Sequence, residues 1–277
     1  MALRGIYRLL SGKPVHPVGA DGRMALSDHF RELRARILKV VLTFVLVFVV
    51  ALFFFDQLFD FVYGPYEDAL RSLPEGSSLA TTSGAGGGLM LYLKLCGFAA
   101  LIVTSPVWLY QIWAFILPGL HANEKRWTRI FLAIAVPLFL VGVYLGFVTL
   151  PKGLEVLIGL NPDVITNLVD FNDYLQFFTR TLLVFGLAFE IPVFVVMLNR
   201  AGVVKGKTLG AYRPWIIIGI FVFAAAATPS TDPFTMTIMA VPMMLLYLVS
   251  EVIARVHDRR IEQRAHDGLS PDEVSPL

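Results

Sequence analysis

The sequence is poor in charge and contains a single cysteine. Of its 277 residues, 16% are charged and 56% are hydrophobic, which excludes an ordinary soluble domain and indicates a chain that crosses a membrane several times. Cys96 lies inside an apolar run and can form no internal disulfide, so we interpret it as a packing residue. The net charge of +2 gives no indication of nucleic-acid binding.

The motifs of common enzymes are also missing. All five histidines fall outside the apolar runs, and the sequence has no Gly-x-Ser-x-Gly, His-Glu-x-x-His or Cys-x-x-Cys motif. The stretch "GAGGG" is followed by no Lys-Ser or Lys-Thr, so it is not a phosphate-binding loop. An intramembrane protease would therefore lack its reactive groups, and we expect no enzymatic activity, no metal and no cofactor.

What the sequence does contain is six apolar runs, at 37–55, 95–116, 130–150, 174–198, 214–229 and 234–250. The first four reach the roughly 20 residues that cross ~30 Å of hydrocarbon, whereas the last two are shorter. The pattern predicts an all-α, polytopic membrane protein with six transmembrane helices, the last two of them short.

The positions of the basic residues predict the orientation. Nineteen of the 23 Lys and Arg residues fall in 1–39, in 117–130, in 199–213 and after 254. By the positive-inside rule, both termini then face the cytoplasm. Residues 1–26 have no uninterrupted apolar core, so we interpret them as a cytoplasmic tail and not a signal peptide. We expect a transmembrane domain at 27–254 and a second cytoplasmic tail at 255–277.

One acidic residue lies deep within an apolar run. Glu190, in "FGLAFEIPVFVVML", is about ten residues from the nearest charge on either side. A carboxyl group at that depth costs a few kcal/mol to insert, so we expect it to face the protein interior, a wet cavity or a partner. A protonated, purely structural glutamate is the alternative. We expect Pro192 to bend the helix near this carboxyl group.

Several stretches together resemble one family. "DHFRELRARI" is similar to the amino-terminal signature of the TatC family, the receptor subunits of the twin-arginine protein translocase. "SPVWLYQIWAFILPGL" with "NEKR", "FGLAFEIPV", "TPSTDPFT" and "AVPMMLLY" resemble later parts of that family, in the right order. The resemblance covers about Ser27 to Glu251. It implies a glove-shaped, concave protein of six helices in the cytoplasmic (inner) membrane, with no catalytic activity.

The resemblance also implies a binding function and roles for particular residues. Family members bind the twin-arginine signal peptides of folded cargo and organise TatA-type and TatB-type single-span partners in a multimeric complex within the lipid bilayer. Glu32 and Glu124 match the acidic residues that hold the arginine pair of the signal, and Arg34 and Phe115 match flanking recognition positions. Glu190 matches a polar residue of the concave face.

The last hairpin departs from the family pattern. Thr228 and Asp232 match its polar positions, but Met236 stands where the family often has Gln, and the loop "TPSTDP" is one residue longer than the common form. The resemblance therefore implies a partner-helix contact at Thr228 and Asp232, with Thr235 or Thr237 in place of the usual Gln.

A different class of function remains open from the residues alone. A proton-coupled carrier of small solutes would use Glu190 as its titrating group. The two halves of the chain, however, show no repeat with paired broken helices, which such carriers often have. Solute flux through the purified single protein would favour the carrier.

Overall fold

The computed structural model describes residues 26–73, 78–82, 84, 86–116, 124–159, 167–227 and 233–266. These residues form ten helices and two short strands. In chain order they are α1 (Leu26–Leu52), α2 (Phe55–Arg71), β1 (Ser78–Thr81), α3 (Gly87–Val103), α4 (Ser105–Ile116), α5 (Glu124–Gly159), β2 (Asn167–Asp170), α6 (Phe171–Ala188), α7 (Ile191–Arg200), α8 (Gly206–Ala211), α9 (Arg213–Ala227) and α10 (Pro233–His266).

Four stretches of the described chain are long and apolar enough to cross a membrane: Phe30–Leu52, Ile130–Gly159, Phe171–Arg200 and Met236–Gln263. Helices α3 and α4 add a fifth if the bent pair is counted as one span, and α9 is apolar but shorter. The prediction of an all-α, polytopic membrane protein is confirmed. The count of six spans and the side on which the termini lie stay predictions.

The apolar run at 95–116 is not one continuous helix, because α3 and α4 meet within it at an angle of 56°. Thr104 ends α3, and its hydroxyl donates to the carbonyl of Ala100 at 2.7 Å. Pro106 brings no backbone N–H to the first turn of α4, so the ladder of hydrogen bonds is interrupted at this point. The indole of Trp108 donates to the carbonyl of Leu101 at 3.0 Å, which satisfies an acceptor near the bend.

The last helix is longer than the expected apolar run. That run ended at 250, whereas α10 contains 34 residues, from Pro233 to His266, and so passes the expected domain boundary at 254, which stays a prediction. The apolar pattern stops at Glu251 because that residue is acidic, but glutamate is a good helix former and the helix continues. Two arginines contact the buried carboxylate. The other expected short helix, α9, is short, with 15 residues.

A parallel pair of strands was not expected from the sequence. Residues 78–81 pair with residues 167–170, with Ser78 opposite Asn167. The hydroxyl of Tyr66, on α2, lies 2.9 Å from the hydroxyl of Ser78 at the start of β1. Asp170 ends β2 and caps α6, since its carboxylate accepts a hydrogen bond from the backbone N–H of Asn172 at 2.8 Å.

The chain divides into two compact units, and each is described by itself. Unit 1 contains the described residues of Met1–Phe61 and Gly84–Val136, and unit 2 those of Val62–Ser83 and Pro137–Leu277. In unit 1, α1 packs against α3 and α4. In unit 2, α10 packs against α7, α8 and α9 around a buried core. The members of that core include Phe185, Leu209, Met239, Met243 and Tyr247.

Candidate functional site

The charged start of α1 carries a half-buried ion pair. Glu32 and Arg36 are one helical turn apart, and their side chains are 21% and 17% exposed. Oε1 of Glu32 accepts hydrogen bonds from Arg36 Nε, at 2.9 Å, and from Arg36 Nη2. A glutamate four residues before a basic residue is a favourable pair on a helix, and the partial burial reduces screening by water. The structure thus holds the predicted signal-binding acid in a fixed charge pair.

The same arginine joins α1 to α4. Nη1 of Arg36 donates to the side-chain oxygen of Gln111 at 3.2 Å, and Nη2 donates to the backbone carbonyl of Ala114 at 2.9 Å. The planar guanidinium therefore bridges an acid on one helix and two acceptors on another, a geometry that a lysine cannot reproduce. These contacts lie within unit 1.

An apolar pocket of about 300 Å³ lies beside this arginine, between α1 and α4. Phe115, a predicted recognition residue, lines it together with Arg36 and Leu33. The remaining lining is almost entirely apolar, and it consists of Ile37, Val40, Val41, Trp108, Gln111, Ile112 and Ile116. Phe115 and the partner of Glu32 therefore line the same pocket.

Arg34, another predicted site residue, is exposed on α1. Glu124 is the first residue of α5, but its side chain lies outside the described part of the structure, so its closeness to Glu32 stays a prediction. Thr228 and Asp232 lie outside the described residues. Thr235 is in the first turn of α10, and its side chain is likewise not described.

Glu190 lies where α6 gives way to α7. It directly precedes α7, and Pro192 occupies the first turn of that helix. Both carboxylate oxygens are buried, which agrees with the expectation that this side chain faces the protein interior. Whether it lines a face that meets partners stays a prediction.

Sequence reasoning missed the partners of these acids. The positive-inside rule treats Arg36 only as one of several charges that set the topology, although its position four residues after Glu32 indicates a helical ion pair. Gln111 carried no signal, because its role depends on the packing of α4 against α1. In unit 2, the cluster of Glu251 with Arg213 and Arg255 was also missed.

No group of three or more His, Cys, Asp or Glu residues that could hold a metal ion occurs in the part of the chain that the structure describes. The arrangement at Glu32 can instead bind a cation. A carboxylate held by one guanidinium and only partly exposed is suited to a charge-assisted hydrogen bond with a further guanidinium.

These features define a class: a helical membrane protein of several spans, with a half-buried ion pair near an apolar pocket. The family model described as "Sec-independent protein translocase protein (TatC)" matches residues 28–242. The chain therefore belongs to the TatC family.

Individual relatives agree with this assignment. The TatC protein of Frankia casuarinae is 40% identical over 268 residues, which cover 93% of this chain and 74% of the relative. The TatC protein of Escherichia coli is 31% identical over 241 residues, or 87% and 92% of the two chains. A crystal structure of the twin-arginine translocase receptor TatC superposes with a TM-score of 0.72 at 32% identity, and the match covers 83% of this chain and 100% of that one.

Proposed function

We propose that this protein is the receptor subunit of a twin-arginine translocase, and that it binds the paired arginines of signal peptides on folded cargo through Glu32 and Glu124. The single observation that carries the proposal is the Glu32 carboxylate near the start of α1, which is paired with Arg36, a residue that lines the same pocket as Phe115. Membership of the TatC family supports protein transport as the function, since the relatives are named as protein translocase components.

The physical basis of recognition is charge-assisted hydrogen bonding. Two adjacent guanidinium groups need two carboxylates, and a partly desolvated setting strengthens each bond. Arg36 already neutralises part of the Glu32 charge, so the carboxylate of Glu124 supplies the second acceptor that two incoming arginines require. Arg34 and Phe115 flank this pair of acids in the proposed site.

The remaining residues that the family resemblance singles out belong to proposed contacts with partners. Thr228, Asp232 and Thr235 contact TatA-type or TatB-type single-span helices at the final hairpin, in a complex of several subunits. Glu190 is the polar residue of the proposed concave face, where contact with a partner or with cargo would first have to expose its buried carboxylate. Met236 replaces the amide often found in relatives, so the hydroxyl of Thr235 or Thr237 takes over that contact.

The proposed site requires one orientation in the membrane. With both termini inside, the start of α1 and the start of α5 reach the cytoplasmic side of the inner membrane, where unexported cargo is present. The distribution of Lys and Arg supports this orientation, since nineteen of the 23 fall in the segments that would then be cytoplasmic.

Site-specific cross-linking tests the proposal. A photoreactive residue at Asn123, next to Glu124, should form an adduct with a twin-arginine signal peptide in membranes that contain the complete translocase. A twin-lysine peptide, which keeps the charge but not the planar fork, should give much less adduct. Lys207, exposed on α8, is the matched control position. Equal adducts at both positions, or with both peptides, would contradict the proposal.

A further inference from the structure

Arg36 forms hydrogen bonds with two of the helices that carry proposed recognition residues. Its guanidinium uses all three nitrogens: Nε and Nη2 donate to Glu32, Nη1 donates to Gln111, and Nη2 also donates to the carbonyl of Ala114. Ala114 directly precedes Phe115 in α4. One side chain therefore connects the acid on α1 with the backbone that carries the recognition phenylalanine.

The bonds to Glu32 have a particular geometry. Both nitrogens of Arg36 donate to the same carboxylate oxygen, Oε1, so Oε2 takes no part in this pair. A glutamate side chain has three rotatable bonds and considerable freedom at the start of a helix, and holding one oxygen removes most of that freedom before a ligand arrives. Preorganisation of this kind raises affinity, because the ligand does not have to order the acceptor.

The anchors on α4 keep Arg36 itself in place. Gln111 and Ala114 are neutral acceptors, and they hold the guanidinium without neutralising its charge. When Glu32 takes up a second guanidinium through Oε2, Arg36 can therefore remain where it is. The pair between Glu32 and Arg36 does not have to break for a ligand to bind.

We infer that Arg36 is a positioning residue for signal recognition: it fixes the Glu32 carboxylate and the Phe115 end of α4 relative to one another. This inference rests on the proposed function, since it takes Glu32 to be an acceptor for the signal. The opposite role, in which Arg36 occupies Glu32 and competes with the signal, uses the same contacts but predicts the opposite effect of removing it.

The test is equilibrium binding of a labelled twin-arginine signal peptide to the full-length protein in lipid nanodiscs. Arg36→Lys keeps the positive charge but cannot hold Glu32, Gln111 and Ala114 at once, so the dissociation constant should rise about tenfold, or ~1.4 kcal/mol. Arg36→Gln should weaken binding at least as much. Lys39→Gln removes a charge three residues further along α1 and should leave the dissociation constant within about twofold of the parent value.

The outcomes separate positioning from the alternatives. Tighter binding in either Arg36 variant would show competition, and parental binding in Arg36→Lys would show that only the charge matters; both results overturn the inference. In a Glu32→Gln background, the Arg36→Lys change should add little, because its effect acts through the Glu32 carboxylate. Full additivity of the two losses would also overturn it.

Two further measurements cover the remaining cases. If the Arg36 variants do not insert into the membrane, Gln111→Leu provides the test, because it removes one acceptor of Arg36 and leaves the pair with Glu32. Weaker binding of the signal peptide supports the positioning role, and binding equal to that of the parent contradicts it. If Glu32→Gln alone binds the signal as the parent does, the proposed function fails. If Glu32→Gln loses binding while the Arg36 variants keep it, only the positioning role fails.

Discussion

The guanidinium of Arg213 binds the carboxylate of Glu251 through two hydrogen bonds, from Nε at 2.9 Å and from Nη2 at 2.8 Å. The carboxylate is buried, with 1% of the side chain exposed, and Arg255 also contacts it at 2.7 Å. The two residues are 38 positions apart, at the start of α9 and on α10. The pair therefore links α9 to α10.

Removing the acid should destabilise unit 2. Glu251→Gln replaces charge-assisted hydrogen bonds with weaker ones and leaves two guanidinium groups without a counter-ion. We therefore expect the free energy of unfolding to fall by about 1–3 kcal/mol. Thermal unfolding in detergent measures the change. Glu262→Gln, at an exposed position on the same helix, is the control and should have little effect. An equal shift in both variants would contradict a specific role for the pair.

A close approach of α5 and α6 gives a second stability prediction. A Cβ atom at Gly142 would lie 2.6 Å from the carbonyl oxygen of Phe185 and 2.9 Å from the Cα atom of Gly186. These are backbone atoms, so the helices would have to move apart. We expect Gly142→Ala to lower the free energy of unfolding by about 1–3 kcal/mol.

The matched control for that change is Gly219→Ala, on α9, where an added Cβ atom meets nothing within 4 Å. Alanine is the better helix former, so this variant should be as stable as the parent or slightly more so. Unfolding temperatures of the two purified variants provide the comparison. Equal stability of Gly142→Ala and the parent would mean that α5 and α6 do not approach this closely.

Orientation can be measured by cysteine labelling. The native Cys96 is buried and should react poorly, so single introduced cysteines report their own positions. We expect Lys205→Cys and Glu262→Cys to react with a membrane-impermeant thiol reagent only from the cytoplasmic side, and Arg71→Cys only from the opposite side. Labelling of Lys205→Cys or Glu262→Cys in intact cells would contradict the proposed orientation.

Apolar runs and basic segments were enough to predict a helical protein of several spans. They could not predict the bend at Thr104, because the hydropathy of residues 95–116 is continuous and the break depends on local hydrogen bonding around Pro106. Nor could they predict how far α10 continues past Glu251, since the apolar pattern stops at this residue while the helix does not. Only the fold shows that two arginines reach this acid. The strands of four residues are too short for a periodic signal.

The candidate site was predictable in part. Glu32 and Phe115 were named from the resemblance, and the structure places them beside a common neighbour, Arg36. That neighbour was within reach of sequence reasoning, since a glutamate followed four residues later by an arginine is a helical pair. Its bonds to Gln111 and Ala114 were not, because they join residues more than 70 positions apart.

Glu190 allows a test between two function classes. Glu190→Gln keeps the size and a hydrogen-bonding end, so export of a folded twin-arginine reporter should be partly retained; Glu190→Leu should lose most of it. Both variants should insert, because removing a buried acid lowers the cost of insertion. Export is measured beside membrane abundance. Equal and complete loss at normal abundance would instead favour a group that must titrate, as in a proton-coupled carrier.

Binding of a twin-arginine signal peptide to the charge-reversed variants Glu32→Lys and Glu124→Lys tests the acidic recognition site most directly. Each reversal places a positive charge against the incoming guanidiniums, so affinity should fall about 100-fold or more while insertion is unchanged. A twin-lysine peptide, bound weakly by the parent, should also bind neither variant. Parental affinity of both variants for the twin-arginine peptide would contradict the proposal that these two acids receive the signal.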